Sequence, residues 1–366
     1  MRTKLAFIIP TMDMGGAEKQ LCLLAENLPR DEFEVRVFLL TRDGPRSDGL
    51  RSANIPVHVI GKRFKLDFTA LVRLQRELAD FQPEIVHTWL FAANSFGRVA
   101  ARFARVPVVI ASERCVDPWK TPMHFWIDRI LAKQTKAITT NSQGVRDFYA
   151  LHGLPAEKFQ VIPNGIESRT EAAISRGEAF ARLQVKDEKK LVLAVGRLWP
   201  QKRYRDLIWA TELLDTLRED MTLVIIGDGP QLAELQRYRD SVTTIDRVRF
   251  AGNRDDVASL LPHADQFWIG SEYEGQSNAL IEAMQAGLPV IASHIPGNTD
   301  LVADHVTGRL FPVGDMAALA RCSQWCFENP KQARALGIAA QERIVSEFSV
   351  QKMVCRHAEL YRQLSK

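Results

Sequence analysis

Two cations stand five residues apart in Gly196-Arg197-Leu198-Trp199-Pro200-Gln201-Lys202, directly after the apolar run Lys190–Val195. A guanidinium offers a planar fork to phosphate oxygens and an ammonium a compact charge, so the pair could bracket a diphosphate. Gly196 would let the backbone pass close to such a ligand. A solvated basic loop is the competing reading of this stretch alone. A second cluster is Glu274-Gly275-Gln276-Ser277-Asn278-Ala279-Leu280-Ile281-Glu282. Its two carboxylates straddle a loop-to-helix junction at which Ser277 or Asn278 can cap. The amides of residues 275–279 would then leave a helix N-terminus, which favours an anion such as a phosphate. The carboxylates suit hydroxyl groups, Glu282 those of a ribose and Glu274 those of a second sugar. Glu282 could instead belong to a solvated face, but Ala279, Leu280, Ala283, Met284 and Gly287 around it are mostly apolar. The third piece is Gly252-Asn253-Arg254-Asp255-Asp256-Val257, where Arg254 is a candidate contact to a ligand's base and the Asn and Asp residues could equally be ordinary helix caps.

All three pieces follow stretches with the pattern of buried strands, and the chain alternates such strands with amphipathic helices twice over. In the first half the strands read at Leu5–Pro10, Phe33–Leu40, Pro56–Ile60, Glu84–Trp89, Pro107–Ser112, Lys136–Asn141 and Phe159–Pro163. The first helix carries Ala17, Leu21, Leu24, Ala25 and Leu28 on one face. From Glu167 to Lys190 the sequence turns polar and reads as a linker with a short helix. A second series follows at Lys190–Val195, Thr222–Ile226, Arg247–Ala251, Gln266–Ile269, Pro289–Ser293 and Arg309–Pro312, and Ser349–Leu364 reads as a closing helix. Alternation of this kind implies parallel sheets covered on both faces. The expected class is α/β, two doubly wound Rossmann-like domains facing across a cleft. The expected divisions are 1–168, 169–348 and a helix at 349–366 that returns to the N-terminal domain.

At 366 residues with 46% apolar and 25% charged residues, the composition is that of an ordinary globular protein. The five cysteines include Cys322 and Cys326, four apart on an expected helix, with no second pair to complete a zinc site. The apolar run Leu5–Ile9 is too short for a signal sequence, and no run nears the length of a membrane span. A cytoplasmic chain is expected. Residues 1–170 hold 24 Lys and Arg against 18 Asp and Glu, a net +6, while the remainder holds 24 against 26, a net −2. That asymmetry is too small for a dedicated nucleic-acid binder, and no nucleic-acid-binding signature is present.

The motifs taken in order resemble those of a family 4 glycosyltransferase of the GT-B fold. They are Gly15-Gly16-Ala17-Glu18, Asn164-Gly165, Gly196-Arg197-Leu198 with Lys202, and Gly227-Asp228-Gly229-Pro230. Ser271 with Glu274-Gly275, Glu282-Ala283, Gly287-Leu288-Pro289-Val290 and Thr307-Gly308 complete the set. The resemblance implies transfer of a sugar from a UDP- or GDP-linked donor, with retention and with no cofactor, to a saccharide or lipid-linked saccharide. It implies that Arg197 and Lys202 hold the diphosphate, Glu282 the ribose, and Glu274 the transferred sugar. Gly15 and Gly16 would let the first loop close over the donor, while Gly275, Gln276, Ser277, Asn278 and Ala279 would complete the donor site. No Asp-x-Asp occurs in the sequence, so cations and helix amides would replace a metal ion at the leaving group.

One departure concerns the first half. Many relatives carry a histidine two residues beyond the position of His87, and here Trp89 stands there. His87 and Asn164 are candidate acceptor or sugar contacts; His87 could equally be a satisfied histidine at a strand end. Ser112-Glu113-Arg114 is a further candidate for the acceptor side, and no catalytic base is assigned. Lys62-Arg63-Phe64-Lys65, with Arg73 and Arg76, and the stretch Trp119-Lys120…Phe125-Trp126…Arg129…Lys133…Lys136 mix aromatics with cations as a peripheral membrane contact would. An ordinary helix with its aromatics in the core is the competing reading. The rival functions are a nucleotide-sugar epimerase of the same architecture and a non-catalytic nucleotide-sugar binder. A dehydrogenase lacks support because Met12-Asp13-Met14-Gly15-Gly16 is no Gly-x-Gly-x-x-Gly fingerprint.

Overall fold

Short apolar runs become the interior strands of two parallel sheets. The computed structural model describes residues 2–167 and 174–365. The chain falls into two compact units, Met1–Gly165 with Val350–Lys366, and Ile166–Ser349. The division expected between 168 and 169 lies outside the described residues. The units part three residues earlier, because the Ile166 amide already donates to the Phe348 carbonyl (2.8 Å) inside the second unit.

The first unit runs β1 (Thr3–Ile9), α1 (Gly16–Asn27), β2 (Phe33–Leu39), α2 (Ser47–Ser52), β3 (Val57–Val59), α3 (Phe68–Phe81), β4 (Ile85–Trp89) and α4 (Phe91–Phe103). It continues with β5 (Val108–Glu113), α5 (Pro122–Ala132), β6 (Ala137–Thr140), α6 (Gln143–Leu151) and β7 (Phe159–Val161). The second unit runs α7 (Arg176–Leu183), β8 (Lys190–Val195), α8 (Tyr204–Asp215), β9 (Met221–Ile226), α9 (Leu232–Val242), β10 (Val248–Phe250), α10 (Val257–Leu260) and β11 (Gln266–Ile269). It closes with α11 (Asn278–Gln285), β12 (Val290–Ser293), α12 (Pro296–Thr299), β13 (Arg309–Phe311), α13 (Met316–Glu328) and α14 (Pro330–Glu347), after which α15 (Val350–Leu364) rejoins the first unit.

Among the described residues the sheets are ordered β3-β2-β1-β4-β5-β6-β7 and β10-β9-β8-β11-β12-β13. Every strand pair is parallel, and β4, β5, β6 and β9 are buried at each position. Strands covered on both faces by helices must be apolar throughout, which is why these runs do not alternate. Strand order reverses between β1 and β4 in one sheet and between β8 and β11 in the other. Loops leaving the carboxyl ends at such reversals diverge and leave a crevice, where open α/β sheets bind ligands.

The last helix is part of the first unit's core. Val350, Met353, Val354, Ala358, Leu360 and Tyr361 pack with β1, β2 and α1, and the Tyr361 ring meets Phe33 edge-on at 5.9 Å. Arg362 grips Glu32 through two hydrogen bonds of 2.8 and 2.9 Å. On α13, burial raises the thiols of both Cys322 and Cys326, the latter to about 12, as suits inert interior cysteines.

Candidate functional site

In the second unit, the loop after β8 emerges beside the reversal point and is bound through its backbone to the loops after β9 and β11. The Glu272 amide donates to the Gln201 carbonyl (2.8 Å) and the Leu198 amide to the Asp228 carbonyl (2.9 Å). Two glycines permit this closeness. A Cβ at Gly227, whose φ is +141°, would lie 2.0 Å from the Gly196 carbonyl oxygen, and one at Gly297 would lie 2.4 Å from that of Gly275. Neither backbone neighbour can yield as a flexible side chain would. The loop after β12 is secured from beneath, where Ser293 Oγ donates to the Ser271 carbonyl (2.6 Å) and Asn298 Nδ2 donates to the Ser293 carbonyl (2.9 Å).

On this frame Lys202 Nζ is paired with Glu274 Oε1, and Ser271 Oγ donates to the same oxygen from 2.7 Å. Arg197 is exposed, its guanidinium 5.5 Å from the centroid of the Trp199 ring, and it has no acidic partner among the described residues. Ser277 caps α11 by accepting from the Leu280 amide at 3.4 Å. Gly275, Gln276 and Ser277 are buried, Asn278 and Ala279 partly so, and Glu282 lies half-buried one turn inside the helix. Thus Gly196, Arg197 and Lys202 leave β8, Glu274 to Ala279 leave the adjacent β11, and a capped helix N-terminus stands among them.

Arg254, expected as a donor contact, follows β10 and is paired within its own loop. Asp256, two residues on, takes its guanidinium through two bonds of 2.7 and 2.8 Å, and Arg182 adds a third at 3.0 Å to the same carboxylate. The side chain faces a cavity of about 280 Å³ that it lines with Arg182, Arg239 and Arg249 beside β10, α7 and α9.

In the first unit Gly15 precedes α1 as its cap residue and Gly16 is its first residue, following β1 at the reversal of that sheet. His87 needs correction as an acceptor or sugar contact. Its ring is fully buried, with Nδ1 2.8 Å from the Tyr361 hydroxyl and Nε2 3.1 Å from Thr139 Oγ1. Burial, then the neighbouring His357 and Arg114, hold its pKa well below the usual imidazole range. It is a neutral interior histidine. Asn164 is likewise buried and accepts from Arg114 Nη2, so it acts within the interior and not as an open contact. Trp89 lies buried too, its ring 4.7 Å from the Arg114 guanidinium.

The stretch around Trp119 divides between the two readings of it. Trp119 and Trp126 are exposed, whereas Phe125 is buried and Lys120 is enclosed among acids. Lys120 Nζ donates to Asp128 Oδ2 (2.9 Å) and lies 3.6 Å from Glu113 and 3.7 Å from Asp117. Asp128 also receives Arg98 Nη2 at 2.8 Å. Burial alone would lower the Lys120 pKa, but Glu113, Asp128 and Asp117 outweigh it and raise it. Burial pushes the Glu113 carboxyl up, with Lys120 opposing. Sequence reasoning missed this cluster because its members come from α4, β5, the loop after β5 and α5, with no shared spacing.

Two family models match the chain, "Glycosyltransferase Family 4" over residues 14–169 and "Glycosyl transferases group 1" over residues 175–343. The chain is 28% identical to the UDP-Gal:alpha-D-GlcNAc-diphosphoundecaprenol alpha-1,3-galactosyltransferase of Escherichia coli, covering 95% of this chain and 94% of that one. It is 24% identical to the lipopolysaccharide core biosynthesis glycosyltransferase LpsD of Rhizobium meliloti, covering 95% of each. Among solved structures, Anabaena HepE in complex with UDP-glucose superimposes with a TM-score of 0.89 over 99% of this chain and 100% of that one, at 24% identity, a likeness of fold.

Proposed function

The chain belongs to the glycosyltransferases with a family 4 N-terminal half and a group 1 C-terminal half, of GT-B fold, and from that premise we propose a retaining, metal-independent hexosyltransferase. Its donor is a UDP- or GDP-linked sugar, and its acceptor is a hydroxyl of a saccharide or lipid-linked saccharide used in cell-surface polysaccharide or glycolipid synthesis. The observation that carries this reading is the grouping at one sheet end of an exposed Arg197, the Lys202–Glu274 pair and the capped start of α11. As the bond to the sugar breaks, negative charge collects on the departing diphosphate. Preorganised cations and helix amides stabilise that charge without a metal ion. Glu274 and Glu282 supply acceptors for hydroxyls of sugar and ribose. The E. coli relative's diphosphoundecaprenol acceptor favours a lipid-linked saccharide here as well.

The test is a thermal-shift screen of nucleotide diphosphates and their sugars, followed by turnover in EDTA and by NMR of the product's anomeric centre. A specific donor should raise the melting temperature in proportion to its affinity, turnover should persist in EDTA, and the new linkage should keep the donor's configuration. Strict dependence on an added divalent ion, or an inverted product, would overturn the corresponding part. An epimerase would convert the donor with no acceptor present.

A peripheral membrane contact of the first unit is part of the same proposal. No helix among the described residues is long and apolar enough to cross a membrane. Beside α3, α4 and α5, a groove of about 420 Å³ is lined by Leu66, Phe68, Phe96, Val99, Trp126 and Ile130, with Leu66 and Phe68 73% and 72% exposed. Lys62 Nζ stands 4.8 Å over Phe96, and Arg63, Lys65, Arg129 and Lys133 lie nearby in sequence. Apolar side chains bordered by cations fit an anionic leaflet. Sedimentation with phosphatidylglycerol-rich liposomes at low salt should carry the protein down, and Phe68→Ser with Trp126→Ser should release it. A protein that stays in the supernatant at low salt has no such contact.

A further inference from the structure

Helices α4 and α5 pack side by side, and where both end, at the amino end of β5, lies a charged cavity of about 210 Å³. Arg98, Arg102 and Arg105 line it from α4 and the turn after it, and Gln134 and Thr135 from the turn after α5. No carboxylate is among its lining residues. The cavity is at the opposite end of this sheet from Gly15, Gly16 and the loops after β4 and β5. Arg98 is buried. Its Nε donates to the Asn94 carbonyl at 2.6 Å and its Nη2 to Asp128 Oδ1 at 2.8 Å, while Nη1 has no hydrogen-bond partner among the described residues. The charge of Asp128 is already shared with Lys120, which donates to its other oxygen. Arg102 and Arg105 are exposed, and neither side chain has an ion pair or hydrogen bond among the described residues.

Three features set this hollow apart from a chance basic surface. Arg105 holds φ +57° one residue beyond the cap of α4, the position at which helices commonly end on glycine. The Val106 amide donates to the Ala101 carbonyl at 2.9 Å and the Arg105 amide to that of Arg102 at 3.0 Å, the two bonds of such an ending. Glycine would make this turn more readily, so the turn itself does not account for an arginine. The second feature concerns the helix ends, whose carbonyls would repel an anion. Those of α4 are closed by the two amides just named. At the end of α5, Lys158 Nζ donates to the carbonyls of Ala132 (2.7 Å) and Thr135 (2.9 Å) and adds a positive charge. The third is a contrast within the chain. Around the cavity beside β10, Asp240, Asp246 and Asp256 take the guanidiniums of Arg182, Arg239, Arg249 and Arg254, which neutralises that hollow. Guanidinium forks without acids suit a small anion with several oxygens. The volume is below the roughly 300 Å³ at which small-molecule pockets begin, which fits a phosphate group and not a whole nucleotide.

We infer that this cavity binds a phosphate group, held by Arg102, Arg105 and the free nitrogen of Arg98, at a site separate from that of sugar transfer. The inference needs neither the donor assignment nor the membrane contact. Free phosphate and the headgroup of an anionic phospholipid present the same chemistry, and the test separates them. The full chain is titrated calorimetrically with inorganic phosphate at low ionic strength and, in a second arm, sedimented with phosphatidylglycerol vesicles. Arg102→Ala combined with Arg105→Gly weakens binding about a hundredfold, tenfold for each charge-assisted hydrogen bond lost. Because Arg105→Gly suits the left-handed turn, the melting temperature does not fall, and lost binding is not lost folding. Lys133→Ala combined with Lys136→Ala removes the same charge from exposed positions off the cavity wall and leaves binding unchanged. Phosphate binding lost in the arginine variant and kept in the lysine variant supports a free anion as the ligand. Silence with phosphate, with vesicle capture lost only in the arginine variant, supports the headgroup. No binding in either arm, full affinity in the arginine variant, or equal losses in the two double variants overturns the inference. Phosphate binding that is lost in Arg197→Ala instead belongs to the donor site, and overturns this inference while leaving the donor reading intact.

Discussion

Arg197→Ala lowers sugar transfer on the order of a hundredfold, the cost of losing one preorganised charge at a developing anion, and leaves stability nearly untouched. Both halves of that expectation come from its surroundings. The side chain is exposed, its guanidinium lies over the Trp199 ring, and no acid among the described residues holds it. A surface residue without a packing or pairing role changes stability by less than about 0.5 kcal/mol when truncated. An arginine that contributes nothing to the fold, on a loop whose backbone is closely fitted to its neighbours, has its role outside the fold. Lys202 is a less discriminating test, because removing it strips Glu274 of its counterion. The measurement is initial rate at saturating donor and acceptor, with melting temperature as the control for folding. A variant with wild-type stability and near-full turnover would remove Arg197 from the leaving-group site and weaken the proposal as a whole.

The contrast between Arg197 and Arg254 shows how far the sequence could be read. Both follow a glycine shortly after a strand, and both have the sequence of a cation in a ligand-facing loop. Local sequence distinguishes them in one respect, the Asp256 two residues beyond Arg254, which takes that guanidinium in a two-pronged pair. Strands were legible to within a residue or two because a parallel strand covered on both faces is a continuous apolar run. Interior pairings were not, since they depend on which distant segments meet. His87 and Tyr361 are 274 positions apart and touch because α15 returns to the first sheet. Lys120 looked like a surface cation until Glu113, Asp117 and Asp128 converged on it from β5, the loop after it and α5. Gly297 carried no signal beyond being a glycine, yet the course of the Glu274–Gly275 backbone depends on its missing side chain.

Glu274→Ala should also reduce transfer on the order of a hundredfold, and here the cause needs separating. Glu274 could act directly, by accepting from a hydroxyl of the transferred sugar, or indirectly, by holding Lys202 at the correct height for the diphosphate. The two routes give different double-mutant cycles. If Glu274 serves only to position Lys202, then Lys202→Met and Glu274→Gln act through one interaction, and the double variant is scarcely worse than either single one. If Glu274 touches the sugar itself, the losses combine to nearly their product. Donor chemistry supplies an independent readout, since direct contact makes Glu274→Gln discriminate among UDP-sugars differing at one hydroxyl, while a positioning role lowers all of them alike. We expect the direct route to dominate, because Ser271 Oγ already orients the carboxylate from the protein side, an arrangement that fixing an ammonium alone would not require. Near-additive losses with a changed donor preference would bear this out. A double variant no worse than Lys202→Met would reassign Glu274 to positioning the lysine and leave the sugar's hydroxyls to other groups.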